Sequence, residues 1–315
     1  MELSILFNRF FIQTATAFSL FLTLNAFASE NSSDKSILVS IAPIHSIVSI
    51  ITRDVHQPEL LMGANSSPHD FQLKPSQRRQ LNQANLFIWV GDSLETVLDK
   101  LVQRDGLELF GIEQYGSQLN LLPYREDAVF SQDSDHGHSH DHEDEEFDPH
   151  FWMSPNNILE FSSALTQFFM DWDPDNATIY QQNHVDFIKE MKVRVAGWES
   201  DLSSFRGEKI LSAHDGFQYF ESEYGFQHVA SMQTNTSVAL SIKRADRLNT
   251  IIQENQIACL FTEPQVPDSM IQTLVRRNQV TLASLDVLGS IFEPGDTLYF
   301  NLMDKNIQAI RECYK

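Results

Sequence analysis

Residues 37–52, ILVSIAPIHSIVSIIT, contain the repeating unit of the fold. The first part is apolar and rich in β-branched residues, which predicts a buried strand at Ile37–Ile41. The residues that follow Pro43 predict a helix that ends near Thr52. A strand followed directly by a helix is the unit from which parallel sheets covered by helices are built.

The same alternation continues on both sides of a central helical region. Further strands are predicted at 60–62, 86–90, 209–212, 226–229, 258–261 and 281–285, with a weaker one at Leu119–Leu122. Between residues 173 and 206 the apolar positions recur every three or four residues, which predicts one long amphipathic helix. Roughly thirty residues would form a rod of about 45 Å, long enough to join two domains. The pattern therefore predicts an α/β fold with two lobes, 29–172 and 207–315, whose parallel sheets are connected by the linking helix 173–206.

Composition limits the possible partners. The chain has 315 residues, 42% of them hydrophobic, which is enough for two packed cores. Its net charge of −21 argues against nucleic acid and anionic membranes, because both bind basic surfaces. Residues 126–148 alone contain ten acidic and no basic residues. This tract is nearly free of apolar residues, so we expect a disordered loop there.

The first 28 residues have the features of a signal peptide. An apolar run from Phe10 to Leu24 is followed by Ala26-Phe27-Ala28, which predicts cleavage before Ser29. The alternative is an uncleaved membrane anchor, although the run is short for a span. No cysteine lies near the cleavage site to carry a lipid. We therefore expect a soluble exported protein, located in the periplasm and without direct membrane insertion.

The chain has two cysteines, Cys259 and Cys313. An even number of cysteines in an exported protein predicts a disulfide bond. Buried free thiols and metal thiolates are the alternatives.

Three histidines, His69, His150 and His214, carry the clearest functional signal. His69 and His214 follow apolar strands, as do Glu263 and Asp286, and ligands bind beyond the carboxyl ends of strands in open parallel sheets. Imidazole suits zinc, copper, nickel and iron, so the pattern predicts a transition-metal site between the lobes. Taken singly, each histidine could equally be a loop residue or a buried packing residue. Asp286 could cap a helix and Glu263 could form a salt bridge.

A second group of histidines lies inside the acidic tract, at His136, His138, His140 and His142. One interpretation is a weak, flexible chelator that recruits metal or holds a second ion. The other is a solvated acidic linker.

Five segments resemble the zinc-binding proteins of bacterial zinc ABC importers, the ZnuA family of periplasmic solute-binding proteins (cluster A-I, solute-binding protein family 9). The resemblance is collinear and covers nearly all of the chain after the leader. It rests on SPHDFQLKPS (67–76), DPHFWMSP (148–155), SAHDGF (212–217), TEPQ (262–265) and LDVLG (285–289), together with the His-rich loop. It implies two lobes joined by a rigid helix, and it implies that Cys259 and Cys313 form a disulfide in the C-terminal lobe.

The resemblance also implies a ligand set. His69 and His150 would come from the N-terminal lobe and His214 from the C-terminal lobe, with Asp286 or a water molecule in the fourth place. Some zinc-binding members have a glutamate immediately before the first histidine, where this chain has Pro68, so that source of a fourth ligand is missing. Glu263 ranks below Asp286 and water. Three imidazoles with at most one carboxylate favour tetrahedral zinc over octahedral manganese.

The resulting hypothesis is a monomeric, non-catalytic periplasmic protein that captures Zn²⁺ and delivers it to an ABC-type permease. A manganese- or iron-binding member of the same transport family is the first alternative. A zinc hydrolase is another, since three histidines and a water also describe catalytic zinc, but HExxH, a nucleophile motif and a dedicated general base are missing. A surface adhesin is disfavoured because the leader offers no lipidation cysteine.

Overall fold

Two four-stranded parallel sheets form the framework of the protein. The computed structural model describes residues 35–63, 66–125, 147–233, 242–266 and 268–315. The strands of the first sheet have the order β2-β1-β3-β4 and those of the second β6-β5-β7-β8. In chain order they are β1 (Ile37–Val39), β2 (Glu59–Leu60), β3 (Leu86–Ile88), β4 (Glu108–Phe110), β5 (Lys209–His214), β6 (Gln227–Gln233), β7 (Cys259–Thr262) and β8 (Thr281–Ser284). The predicted α/β fold with two parallel sheets is confirmed.

Helices connect and cover the strands. They are α1 (Ala42–Ile51), α2 (Pro75–Gln83), α3 (Asp99–Val102), α4 (Ile112–Tyr115), α5 (Pro155–Trp172), α6 (Ala177–Leu202), α7 (Gln218–Tyr224), α8 (Ile242–Asn255), α9 (Asp268–Asn278) and α10 (Leu298–Cys313). Within the described residues, no helix combines the length and the apolarity that crossing a membrane requires. The predicted signal peptide lies outside the described residues.

Helix α6 is the long helix predicted between the two sheets. Its 26 residues give a length of about 39 Å, and short 3₁₀ turns extend it at both ends. Near its start, Asn183 donates to the carbonyl oxygen of Ile51 at the end of α1, at 3.0 Å. Near its end, the indole of Trp198 donates to Asp304 on α10 at 2.7 Å. The helix is therefore anchored to both α1 and α10.

Some local predictions were wrong. Leu119–Leu122 is not a strand, and the fourth strand of the first sheet is instead Glu108–Phe110, which the sequence pattern did not indicate. The amide of Asn120 and the carbonyl of Leu122 bond instead to Asn157 and to the backbone of Asp148. These partners hold the segment beside residues 148–157, which lead into α5. The limits of the two lobes remain predictions.

The two cysteines form a disulfide bond, as predicted. Cys259 at the start of β7 is bonded to Cys313 at the end of α10, with 5.9 Å between their Cα atoms. The last helix is thereby attached covalently to the second sheet.

Candidate metal centre

The three predicted histidines converge at one point. The Nε2 atom of His150 lies 3.3 Å from that of His69 and 3.4 Å from that of His214. Among the described residues these three side chains form a group whose potential ligand atoms all lie within 4.8 Å of one another. Three nitrogen atoms at this spacing can surround a metal ion that forms bonds of about 2.0–2.1 Å.

Each histidine is positioned by a different kind of local structure. His69 occupies a short 3₁₀ turn, Pro68–Asp70, and is half-buried. His150 precedes the 3₁₀ turn Phe151–Met153 and is 3% exposed, while His214 is the last residue of β5 and is 1% exposed. The site therefore has two rigidly enclosed ligands and one that lies nearer the surface.

Buried carboxylates support the two enclosed histidines. Asp148 Oδ1 accepts hydrogen bonds from His150 Nδ1 at 2.7 Å and from the His150 amide at 3.0 Å. Glu263 Oε1 lies 2.6 Å from His214 Nδ1. Because an ionised carboxylate only accepts hydrogen bonds, each Nδ1 carries the hydrogen and Nε2 is left to face the metal. The arrangement fixes both the tautomer and the orientation of these two rings.

The electrostatic environment differs among the histidines. Burial, with repulsion from His150 and His214, lowers the pKa of His69 to about 2, so this imidazole is neutral over the physiological range. Burial also acts to lower the pKa of His214. Attraction to the Glu263 carboxylate and the hydrogen bond to it outweigh burial, and the pKa of His214 is raised above its ordinary value.

The structure does not bring Asp286 into the histidine group. Its oxygens accept hydrogen bonds from the amides of Leu288, Gly289 and Ser290 at 2.6–3.0 Å. Asp286 follows β8, and β7 lies between β8 and the strand that carries His214. Two strand spacings are about 10 Å, which is the physical reason for the separation. Asp286 thus braces its own loop in this structure.

A small cavity of about 10 Å³ adjoins the three histidines, room for about one water molecule. Its walls comprise Ser67, Pro68, His69, His150, Trp152, His214, Glu263, Gln265, Val287 and Leu288. Trp152 is fully buried, its ring centroid lies 5.3 Å from that of His150, and its indole donates to the Val287 carbonyl at 2.7 Å. The indole therefore links the segment carrying His150 to the loop after β8.

The supporting roles of Asp148, Glu263, Trp152 and Gly216 were not evident from the sequence pattern. A Cβ atom on Gly216 would lie 2.4 Å from Cε1 of His214, so only glycine leaves room for the ring. The spacing Asp148-Pro-His150 was a sequence signal that a carboxylate lies beside a candidate ligand. His136, His138, His140 and His142 lie outside the described residues.

A two-lobed α/β protein that presents three converging imidazoles in a small buried cavity belongs to the class of metal-binding proteins. The family model described as zinc-uptake complex component A, periplasmic (ZnuA) matches residues 37–313. The chain belongs to this family, and the expected resemblance is confirmed.

Matches to known metal-binding proteins extend over most of the chain. It is 27% identical over 307 residues to a high-affinity zinc uptake system protein ZnuA from Brucella abortus (strain 2308), a match that covers 89% of this chain and 91% of the relative. The fold is shared with Zn(II)-bound AdcA from Streptococcus pneumoniae, with a TM-score of 0.70 and 23% identity. That match covers 89% of this chain and 57% of the longer AdcA chain. A manganese-bound periplasmic metal-binding protein from Candidatus Liberibacter asiaticus has the same fold, with a TM-score of 0.71, 18% identity, and coverage of 89% and 99%.

Proposed function

We propose that this protein captures Zn²⁺ outside the cytoplasm and delivers it to an ABC-type import permease. The observation that carries the proposal is the convergence of His69, His150 and His214, whose Nε2 atoms lie 3.3 and 3.4 Å apart. The names of the relatives as zinc uptake proteins support the same function.

The donor set favours zinc among the metals that the fold accommodates. Three neutral imidazoles around a space for one small further ligand match four-coordinate zinc. Manganese prefers six oxygen-rich ligands, whereas this cluster offers three imidazole nitrogens. Copper binds imidazole more tightly than zinc does, so selectivity against copper must come from geometry and availability. A manganese- or iron-transporting protein of the same family is the alternative, and competition of each of these metals with zinc distinguishes it.

The proposal includes the fate of the protein before and after metal binding. The leader is cleaved after Ala28, the mature chain is a periplasmic monomer, and the zinc-loaded form docks on the permease. We propose no catalytic activity for the protein itself, in line with its family of transport proteins, and the carboxylates nearest the site, Asp148 and Glu263, each hold the Nδ1 atom of a histidine. Hydrolysis of ester or peptide substrates by the zinc-loaded protein would contradict this part.

The direct test is an anaerobic titration of the mature chain, residues 29–315, with zinc and with manganese. One tight zinc equivalent that manganese does not displace is expected for the wild-type protein. The variant His214→Ala should lose that equivalent, because two imidazoles and water hold zinc far more weakly than three imidazoles. Tight zinc binding retained by the variant, or stronger binding of manganese, would overturn the proposal.

We further propose that the His-rich tract is a weak auxiliary chelator. Deleting residues 131–146 should remove weak metal equivalents and leave the tight one unchanged. If the tight equivalent disappears as well, the two sites do not act separately. If no weak equivalents are lost, the tract is a solvated acidic linker.

A further inference from the structure

An arginine from the segment between α4 and α5 is bonded to the second sheet's side of the metal centre. The Nη2 atom of Arg125 forms an ion pair with Oδ1 of Asp215 at 3.0 Å, and Asp215 directly follows the candidate ligand His214. The Nη1 atom of Arg125 donates to Oε2 of Glu221 at 2.6 Å. Glu221 is a buried residue of α7, the helix between β5 and β6. One guanidinium therefore joins this segment both to the loop that carries His214 and to α7.

A tyrosine of α7 makes a bond in the opposite direction. Tyr219 is 2% exposed, and its hydroxyl donates to the carbonyl oxygen of Asp148 at 2.6 Å. The same hydroxyl accepts the amide of Leu122 at 3.0 Å, and the amide of Asp148 donates to the carbonyl of Leu122 at 2.8 Å. Asp148 is the residue whose carboxylate orients His150. Tyr219 thus fixes the backbone from which that carboxylate extends.

The two contacts cross between the segments that carry His150 and His214. Arg125, from the segment before His150, holds the residue next to His214, and Tyr219, from the helix after His214, holds the residue that orients His150. We call these two side chains, Arg125 and Tyr219, the crossed latch.

The metal-free protein needs such a latch for an electrostatic reason. Both rings carry their hydrogen on Nδ1, so their Nε2 atoms, 3.4 Å apart, are both acceptors. Two acceptors form no hydrogen bond with each other, and their lone pairs repel. Before an ion binds, other contacts must therefore keep these two imidazoles at binding distance.

We propose that Arg125 and Tyr219 are positioning residues that hold His150 and His214 at binding distance before zinc arrives. Once zinc is bound, the ion itself links the two rings, so the latch adds little to the loaded protein. Loss of the latch lowers the fraction of metal-free protein that is competent to bind, and the apparent affinity falls by that fraction. This inference rests on the proposed function, because it concerns the same metal.

Two variants that conserve charge test the latch. Tyr219→Phe removes only the hydroxyl. Arg125→Lys keeps the positive charge, but a single ammonium group lacks the planar fork that reaches two carboxylates. Because neither variant changes the charge of the protein, electrostatic attraction of the ion stays the same. Each variant should take up zinc about 10-fold more slowly, at the lower end of the effect of changing groups that support a metal ligand.

The measurement separates association from dissociation. Competition with a chromophoric chelator gives the zinc affinity, release into an excess of that chelator gives the dissociation rate, and the two together give the association rate. The dissociation rate should stay within about twofold of wild type, because the bound ion replaces the latch. An unchanged association rate in either variant, or a loss of affinity that lies in faster dissociation, would overturn the proposal.

Tyr224→Phe is the matched control. Tyr224 lies on the same helix and is 1% exposed, and its hydroxyl has no hydrogen-bond partner among the residues that the structure describes. This variant should bind zinc like wild type; equal slowing in Tyr224→Phe and Tyr219→Phe would show a general effect of α7 and would overturn the proposal. The unfolding temperature of each metal-free variant shows that it is folded at the temperature of the assay.

His214→Ala, measured in the same series, separates the two possible failures. If His214→Ala retains tight zinc, the proposed function fails. If it loses zinc while Tyr219→Phe and Arg125→Lys take up zinc as fast as wild type, only the crossed latch fails.

Discussion

Replacing Gly216 with alanine is expected to weaken zinc binding about 100-fold without unfolding the protein. The loop after β5 turns back so that Gly216 lies against the ring of the ligand His214. A Cβ atom built on Gly216 would be 2.4 Å from Cε1 and 2.8 Å from Nε2 of that ring, and 3.0 Å from Cγ1 of Val287. The added methyl group therefore meets the imidazole at the edge that faces the metal.

The size of the effect follows from these distances. Ordinary van der Waals contact begins near 3.4 Å, so the ring must move by about 1 Å. The ring is 1% exposed and is bonded through Nδ1 to the buried Glu263 at 2.6 Å, which prevents a free retreat. Metal–ligand distances tolerate about 0.2 Å, and disturbing the groups that orient a metal ligand costs about 10- to 100-fold in metal affinity, of which we take the upper end here. This factor corresponds to about 2.8 kcal/mol of binding free energy.

The assay is competition for zinc between the protein and a chromophoric chelator, for wild type, Gly216→Ala and Gly197→Ala. Gly197 lies in the long helix α6, and a Cβ atom there would have no heavy atom within 4 Å. The control should therefore bind zinc like wild type and be slightly more stable, since alanine favours a helix. The reasoning is refuted if Gly216→Ala binds zinc within about twofold of the wild-type affinity.

Three further predictions concern stability and spectroscopy. Burial raises the pKa of Glu95 from 4.5 to about 7, although the amides of Val90 and Gly91 donate hydrogen bonds to its carboxylate, which acts in the opposite direction. A raised pKa contributes stability that is full below pH 4.5 and lost as the pH rises through about 7. The metal-free wild-type protein should therefore lose about 3 kcal/mol of unfolding free energy relative to Glu95→Gln over that range, measured by urea unfolding; parallel pH curves would contradict it. Replacing Cys259 and Cys313 by serine should lower the unfolding free energy by about 4 kcal/mol, because the disulfide closes a loop with a sequence separation of 54 and so restricts the unfolded chain. A loss under about 1 kcal/mol would refute this estimate. Trp152→Phe should abolish most of the zinc-induced change in tryptophan emission, because this indole lies 5.3 Å from His150; an unchanged response would assign the signal to another tryptophan.

Most of the fold was predictable because its strands are short, apolar and separated by helical patterns. The exceptions have physical causes. Strand β4 has three residues and begins with the exposed Glu108, so it lacks an apolar run. Leu119–Leu122 has such a run, but its amide and carbonyl groups are taken by Asn157, Tyr219 and Asp148 rather than by a neighbouring strand. Those partners depend on how distant segments meet, which local sequence does not contain.

The same distinction applies to the candidate site. The joint placement of the histidines near strand ends predicted that they converge. The role of Glu263 depends on β5 and β7 being neighbours in the sheet although β6 lies between them in the chain. Their register pairs Ser212 with Phe261, so two residues further on His214 lies beside Glu263. In the sequence, Asp286 follows a strand just as Glu263 does. However, β8, the strand before Asp286, lies one place further from β5 in the sheet than β7 does.

The charges around the candidate site can balance a zinc ion without a carboxylate ligand. Three neutral imidazoles leave the two positive charges of a zinc ion unbalanced, and a buried unbalanced charge is costly. Asp148 and Glu263 each lie one imidazole away from the metal position, and together they supply two negative charges. The two carboxylates thus balance the charge of the ion through the imidazole rings, so the ion is attracted without a direct bond to an anion. A carboxylate bound directly to the metal would add a third negative charge, and the site would become net negative. The ion would then leave more slowly, whereas a protein that delivers its ion must also release it. Among the three candidate ligands, we expect the half-buried His69, which lies on a short turn, to leave the ion with the least disturbance.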